Sequence, residues 1–217
     1  MASNQLIVGA QNNQDNTNPI TARAGKQGET IVSELHGRYY EQAYRGNMFR
    51  VANATAQTTS AGTVASGTAF TGTGLYNPLG SGVNLALLKH EFAFLVAFAA
   101  SSGLGLQVGI LTTTGPTAIT SIPATNALTS GSGTSLSYTG KAQAFSSITI
   151  ASTGTLTKII GAGLTGAITT VPVVPNTVVE MDGSLIIPPG GFVATYTSTA
   201  SGTASALYGF VWEEVPI

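Results

Sequence analysis

The alternation of hydrophobic and polar positions is clearest around one long stretch, Val83 to Phe98, which reads VNLALLKHEFAFLVAF. At a period of two, both of its faces are largely apolar, although Lys89, His90 and Glu91 interrupt the run. Such a pattern is typical of a strand in the middle of a sandwich. A helix is the competing interpretation, because Leu and Ala form helices well and several leucines fall near helical spacing. We favour the strand, because strand and turn signals fill the rest of the chain.

Shorter apolar segments predict the other strands. They are Phe70–Tyr76, Leu104–Leu111, Phe145–Ile150, Leu156–Ile160, Val171–Val174, Val178–Met181, Ser184–Ile187, Phe192–Thr197 and Ala204–Val215. Turn residues around Ser101-Ser102-Gly103 and at Thr199–Thr203 predict two hairpins, each joining strands that are neighbours in the chain. Residues 112–144 are rich in Thr, Ser and Gly, and they predict either a long loop or a pair of weak edge strands.

The spacing of these segments indicates the fold class. Strands of this length, with turn signals about every 8–12 residues, are typical of an all-β sandwich or barrel. We predict a jelly-roll-like antiparallel β-sandwich at residues 51–217. An extended, partly helical N-terminal arm at residues 1–50 would precede it.

The predicted arm differs in composition from the rest. Residues 1–28 are too polar to fold alone, so they form either a disordered terminus or an arm that orders on a partner subunit. In residues 29–50, Tyr40 and Tyr44 lie four apart, which favours short helical turns around Gly37. Tyr and Arg are enriched in interface cores, so this segment supplies the predicted subunit contacts. They are Arg38, Tyr39, Tyr40, Tyr44, Arg45, Phe49 and Arg50. A solvated connector is the alternative.

The small number of charged residues limits the kinds of function that the chain can have. Only 8% of the 217 residues are charged, against about 25% in an ordinary globular protein. Nine of the seventeen charged residues lie between Asp15 and Arg50. The net charge of -1 argues against nucleic acid as a partner, because such binding needs a basic field. A membrane span needs about 20 apolar residues, and Lys89-His90-Glu91 breaks the longest run, so we expect no membrane partner.

Candidate catalytic and metal-binding residues are few. The chain has no cysteine. Its two histidines are His36 and His90, and the sequence has no GxSxG motif that would supply the serine of a catalytic triad. Glu180 and Asp182 lie two apart and could bind a hard cation, but an exposed bend there is the favoured interpretation.

Three further acidic or amide residues have ordinary explanations. Glu213 and Glu214 point to opposite faces of the last strand, where we expect them to discourage indiscriminate strand pairing. Asn53-Ala54-Thr55 is a formal glycosylation sequon, a triplet that also occurs by chance. We therefore predict no enzyme, no catalytic residue, no cofactor and no metal.

Two blocks of the sequence carry a family resemblance. GLYNPLGSGVNLALLKHEFAF, and later IIPPGGFVATYTSTASGTASALYGFVWEEVPI, resemble structural proteins of tailed-bacteriophage virions. In those proteins a turn of Asn, Pro, Gly and Ser feeds a long strand, and the last strand ends in an aromatic–Glu–Val–Pro tail. The resemblance covers about residues 75–110 and 184–217.

The resemblance implies a virion component. Its expected role is that of a capsid decoration (cement) protein, usually trimeric, that binds the major capsid protein on the capsid surface. The alternative is a tail or spike protein that recognises a host glycan through residues 112–144. The N-terminus has no basic region or long apolar run of a signal peptide, so we expect synthesis in the host cytoplasm.

Overall fold

The computed structural model describes residues 23–24, 30–31, 37–96, 98, 100, 102–128, 140–163, 177–201 and 206–217. The chain divides into two compact units, Met1–Glu41 and Gln42–Ile217. Most of the predicted arm, the strand predicted at Val171–Val174 and His36 lie outside the described residues.

Strand is the main secondary structure of the described residues, and helix is nearly absent from them. The strands are β1 Arg23–Ala24, β2 Thr30–Ile31, β3 Met48–Ala52, β4 Ala69–Tyr76, β5 Val83–Phe94, β6 Ser102–Ile110, β7 Ala118–Ile122, β8 Thr125–Asn126, β9 Gln143–Thr149, β10 Thr155–Gly163, β11 Thr177–Ile187, β12 Gly191–Thr197 and β13 Ala206–Pro216. The one helix among these residues, α1, spans Tyr40–Tyr44. The predicted boundary between residues 50 and 51 falls inside β3.

Two antiparallel sheets build the unit Gln42–Ile217. The six-stranded sheet has the order β10-β6-β12-β4-β9-β7, and the five-stranded sheet has the order β11-β5-β13-β3-β8. In the unit Met1–Glu41, β1 pairs with β2. The prediction of an all-β fold with antiparallel sheets is confirmed for the described residues. The central stretch is a strand and not a helix, because β5 lies between β11 and β13.

The main core packs side chains of both sheets against one another. The five-stranded sheet contributes Phe210 and Trp212, and the six-stranded sheet contributes Leu75, Leu106 and Val193, all with no solvent exposure. Each of these side chains alternates along its strand with one on the opposite face, as the pleat requires. The common cluster therefore makes the two sheets a sandwich.

A β-bulge in β5 explains why both faces of the central stretch are apolar. Trp212 pairs with Leu87 and Val211 pairs with Lys89, so Leu88 is an extra residue without a partner on β13. A bulge moves the strand's alternation by one position. Leu85 and Leu87 before it, and Leu88 and His90 after it, are therefore all buried, while Lys89 is only partly buried.

Both predicted hairpins are wrong. The structure places β5 and β6 in different sheets, and the same holds for β12 and β13. After β5 the chain crosses to the other layer, where Phe94, Phe98 and Leu104 pack in one cluster. The aromatic side chains around the turn are thus buried between the layers, which a flat two-stranded hairpin could not achieve.

Other predicted segments changed in extent. The two strands predicted at Val178–Met181 and Ser184–Ile187 form one strand, β11, with an irregularity between Glu180 and Leu185. Asp182 and Gly183 at this point have φ of 49° and 75°, which forms the expected bend. Within residues 112–144, β7 and β8 lie at the ends of the two sheets, as the edge-strand alternative predicts.

The second face of the six-stranded sheet is covered by the chain itself. Phe70, Phe145 and Phe192 are buried there in a cluster with Val64, which belongs to the segment before β4. The Gln107 amide holds this segment, because its Oε1 accepts from Val64 N at 2.6 Å and its Nε2 donates to Thr195 O at 2.9 Å. The middle of this sheet is therefore covered on both faces, whereas Ile159 at its β10 edge is exposed.

Candidate interaction surface

The five-stranded sheet, in contrast, has one exposed face, and a single row of paired residues crosses all five strands of it. The row runs Glu180, Lys89, Val211, Arg50, Thr125 from β11 to β8. None of the five side chains is buried. Because residues paired across strands share a face, the row marks the outward side of the sheet.

Two further rows flank this one. The first joins Val178, Glu91, Gly209 and Ala52, and the second joins Ile186, Ala86, Glu213 and Met48. We call these three rows together the outer sheet face. Its side chains include Val178 and Ile186, which are 52% and 57% exposed. Apolar side chains of this size on one sheet face are typical of a surface that another protein covers.

The outer sheet face also carries much of the charge of the sandwich. Lys89, Glu91, Glu180 and Glu213 are four of the eight charged residues that follow Arg50 in the chain. The Lys89 ammonium lies 2.8 Å from a Glu180 carboxylate oxygen, and both side chains are partly exposed. Partial burial raises the pKa of the Glu213 carboxyl above its usual value. The face thus combines apolar side chains with charges of both signs.

The predicted contact residues do not all lie on a surface. Phe49 is buried and stacks on Trp212, with 5.9 Å between ring centroids. Arg50, the next residue along β3, points the opposite way and belongs to the outer sheet face. Tyr44 is 65% exposed and Arg45 is also exposed. The Phe49 side chain therefore stabilises the sandwich and is not available to a partner.

The other predicted contacts precede Gln42 and belong to the first unit. Arg38 and Tyr40 are exposed, and Tyr39 is half-buried. The Arg38 guanidinium lies 5.5 Å from the centre of the Tyr39 ring, a cation–π geometry. The helix α1 begins at Tyr40, three residues after Gly37, and the partly helical arm stays a prediction.

His90 is a structural residue of the core. Its Nδ1–H donates to the Gly209 carbonyl at 3.0 Å, and its ring lies 4.5 Å from the Phe210 ring centre. Burial lowers its pKa from 6.5 to about 4, because desolvation outweighs the opposing effect of the hydrogen bond. His90 is therefore a hydrogen-bonded histidine of the sheet, and its ring is neutral at pH 7.

The acidic pair Glu180 and Asp182 is not arranged as a cation site. Glu180 pairs with Lys89, and Asp182 lies in the bend of β11. Across the described residues, no group of three or more His, Asp or Glu side chains is placed to hold a metal ion.

Sequence reasoning misjudged Glu214, which is a buried anchor and not a surface charge. It lies on β13, an interior strand, so it does not protect a sheet edge. Its carboxylate accepts from the backbone N–H of Lys141 at 2.8 Å and of Ala142 at 3.0 Å. The one feature of the sequence that indicated burial of Glu214 was its position on the same strand face as Phe210 and Trp212.

Asn53, the formal sequon residue, is a second buried polar anchor. Its Nδ2 donates to Thr55 O at 2.7 Å and to Ala206 O at 3.3 Å, and its Oδ1 accepts from Tyr208 N. The Asn53 side chain is only 6% exposed, and its amide is engaged in these hydrogen bonds within the fold. Burial of this kind could not be foreseen from the triplet.

Comparisons with known proteins add no relative. No protein-family model matches the chain, and neither a curated protein nor a solved structure matches it. Among the described residues, no helix has the length and apolar character needed to cross a membrane. The resemblance to phage virion proteins stays a prediction, and so does the glycan alternative, since residues 129–139 of its loop lie outside the described residues.

Proposed function

We propose that this chain is a non-enzymatic structural protein of a tailed-bacteriophage virion. It acts as a capsid decoration (cement) protein that binds the major capsid protein on the surface of the assembled head and stabilises it. It is made in the host cytoplasm and works as a homo-oligomer, a trimer if the resemblance holds. The observation that carries the proposal is the outer sheet face, an exposed sheet surface suited to joining subunits of an assembly, and we assign the contact with the shell to the exposed Tyr44 and Arg45.

The chemistry of the outer sheet face supports a contact made by burial. Covering apolar surface contributes about 25 cal/mol per Å², and Val178 and Ile186 offer such surface on a rigid sheet. The nearby charges are of both signs, so they add little long-range attraction. Binding of this kind holds a subunit in place without requiring a reactive group.

The order of the strands supports a jelly-roll-like body for this protein. The chain alternates between the two sheets from β4 to β5 to β6, and again from β11 to β12 to β13. Double-sheet jelly rolls are a common architecture of capsid proteins. The exposed Tyr44 and Arg45 lie just before β3 and supply the shell contact in this proposal.

The test is binding to capsids. Purified chain is mixed with expanded capsids built from the major capsid protein of the same phage, and co-sedimentation is measured between low and high salt. We expect saturable binding that changes little with salt, and a loss of affinity of about tenfold or more for Tyr44→Ala. Ile159→Ala is the control, because Ile159 is 76% exposed on β10, in the other sheet.

Three results would contradict the proposal. They are an absence of binding to capsids, a steep fall in affinity with salt, and immunogold labelling confined to tails. The last result, together with binding on a glycan array, would favour the tail or spike alternative.

A further inference from the structure

We infer that the outer sheet face binds the same face of a second copy of this chain, about a two-fold axis that runs parallel to the strands between β5 and β13. The inference rests on the proposed function only in treating this face as a subunit contact. The partner is a second copy of the chain, so the test uses the isolated chain.

The arrangement of charges favours this partner and this axis. Such an axis keeps each row at its own height and reverses the strand order, so β11 of one copy lies over β3 of the other. In the central row, Glu180 then faces Arg50 of the second copy, and Lys89 faces Val211. Opposite charges therefore meet at both ends of the row, and no like charges are directly opposed.

The flanking rows are complementary under the same operation. Ile186 faces Met48 of the second copy, and Val178 faces Ala52, so apolar side chains meet apolar ones. Glu213 faces Ala86 and lies one row away from Lys89 of the second copy. Desolvation already raises the pKa of Glu213, and the nearby Lys89 ammonium would compensate for its further burial.

The other face-to-face two-fold, perpendicular to the strands, fails on charge. If it passed through the central row, it would place Glu180 over Glu180, Lys89 over Lys89 and Arg50 over Arg50. Directly opposed like charges cost several kcal/mol. The pattern of charges on the outer sheet face therefore specifies one orientation of the two copies, in the way that natural interfaces exclude wrong pairings.

The area is sufficient for a reversible dimer. Strands about 4.8 Å apart and residues about 3.3 Å apart along them give the four strands that overlap about this axis roughly 400 Å². The two faces together would bury about 800 Å², the size of a weak, transient interface, so we expect a dissociation constant in the micromolar range. Because an isologous contact is satisfied by two copies, it gives dimers, or pairs of trimers where each copy also belongs to the trimer proposed above.

Sedimentation velocity of the full chain over a concentration series tests the inference. We expect a reversible even-numbered assembly that Arg50→Glu weakens by about tenfold or more, and that the double variant Arg50→Glu with Glu180→Arg partly restores. Lys158→Glu is the control, since it makes the same charge change on β10 of the six-stranded sheet. Circular dichroism checks that every variant is folded.

Val211→Lys provides a second, independent variant, because Val211 lies at the centre of the face and is only partly buried. We expect it to dissociate the assembly. A chain that stays monomeric up to about 200 µM, well above the expected dissociation constant, would overturn the inference, as would an assembly of three copies. An assembly that withstands both Arg50→Glu and Val211→Lys would also overturn it. None of these results bears on whether the chain binds capsids.

Discussion

Acidification should destabilise the protein through His90. The folded chain holds this ring neutral, with a pKa of about 4, whereas an unfolded chain has a value near 6.5. Unfolding therefore takes up a proton at any pH between these values. Stability conferred by the neutral ring is complete above pH 6.5 and is lost as the pH falls towards 4.

The size of the effect follows from the difference in pKa. Each unit corresponds to about 1.4 kcal/mol, so the loss between pH 6.5 and pH 4 totals about 3 kcal/mol. That is a large share of the free energy of unfolding of a typical domain, about 5–15 kcal/mol. The cause is local, because the ring is enclosed by Tyr208, Phe92 and Phe210.

Urea unfolding across a pH series measures this loss. Trp212 is the chain's only tryptophan and is fully buried, so its fluorescence reports unfolding. Glu213 titrates with a raised pKa and acts in the opposite direction, so the effect is taken as the difference between the wild type and His90→Gln. Glutamine can still donate to the Gly209 carbonyl but does not titrate.

The comparison variant is His36→Gln, which removes the chain's other histidine and so shows whether the loss of stability belongs to His90. The reasoning about His90 is refuted if the wild type and His90→Gln differ in stability by the same amount at pH 7 and pH 4. It is also refuted if the imidazole signal of His90 titrates near pH 6.5 in the folded protein.

Three further predictions concern stability. Glu214→Gln should cost about 1–3 kcal/mol in chemical denaturation, because it removes a carboxylate that accepts from buried N–H groups, whereas Glu213→Gln should cost little; equal effects would contradict the anchor role. Asn53→Ala should cost about 2 kcal/mol, since it removes the partner of Thr55 O and of Tyr208 N, whereas Ala206 O keeps its bond from Gln57 N; a thermal melt unchanged from the wild type would contradict this. Deletion of Leu88 should give a folded but less stable protein, because β5 then alternates regularly without the bulge. Deletion of Glu91 should prevent folding, because it turns Phe92 and the residues after it outward. Circular dichroism distinguishes the two variants, and an unfolded Leu88 deletion would contradict the assignment of the bulge.

The strand positions could largely be predicted from the sequence, because alternation with a period of two is a local property. β9 and β12 lie close to their predicted segments for this reason. Alternation along β13 also placed four residues on one face of the strand, and all four are buried: Tyr208, Phe210, Trp212 and Glu214. The bulge at Leu88 was not visible, since it depends on the residues that β13 presents to β5.

The candidate surface could be predicted only in part. Arg50, Tyr44 and Arg45 were recognised as candidate contacts from their composition, but so was Phe49, whose neighbour Trp212 is remote in sequence. The row from Glu180 through Lys89 and Val211 to Arg50 exists only because four strands from distant parts of the chain pair in one register. No local pattern contains that information.

By itself, the sequence determined that this protein is built from short alternating strands and carries few charges, because both properties belong to neighbouring residues or to composition. The tertiary structure decided which strands pair, that sequential strands separate into different sheets, and that one sheet face stays open. Strand pairing is settled by long-range burial, in which aromatic residues distant in sequence, such as Phe49 and Trp212, must find the same core.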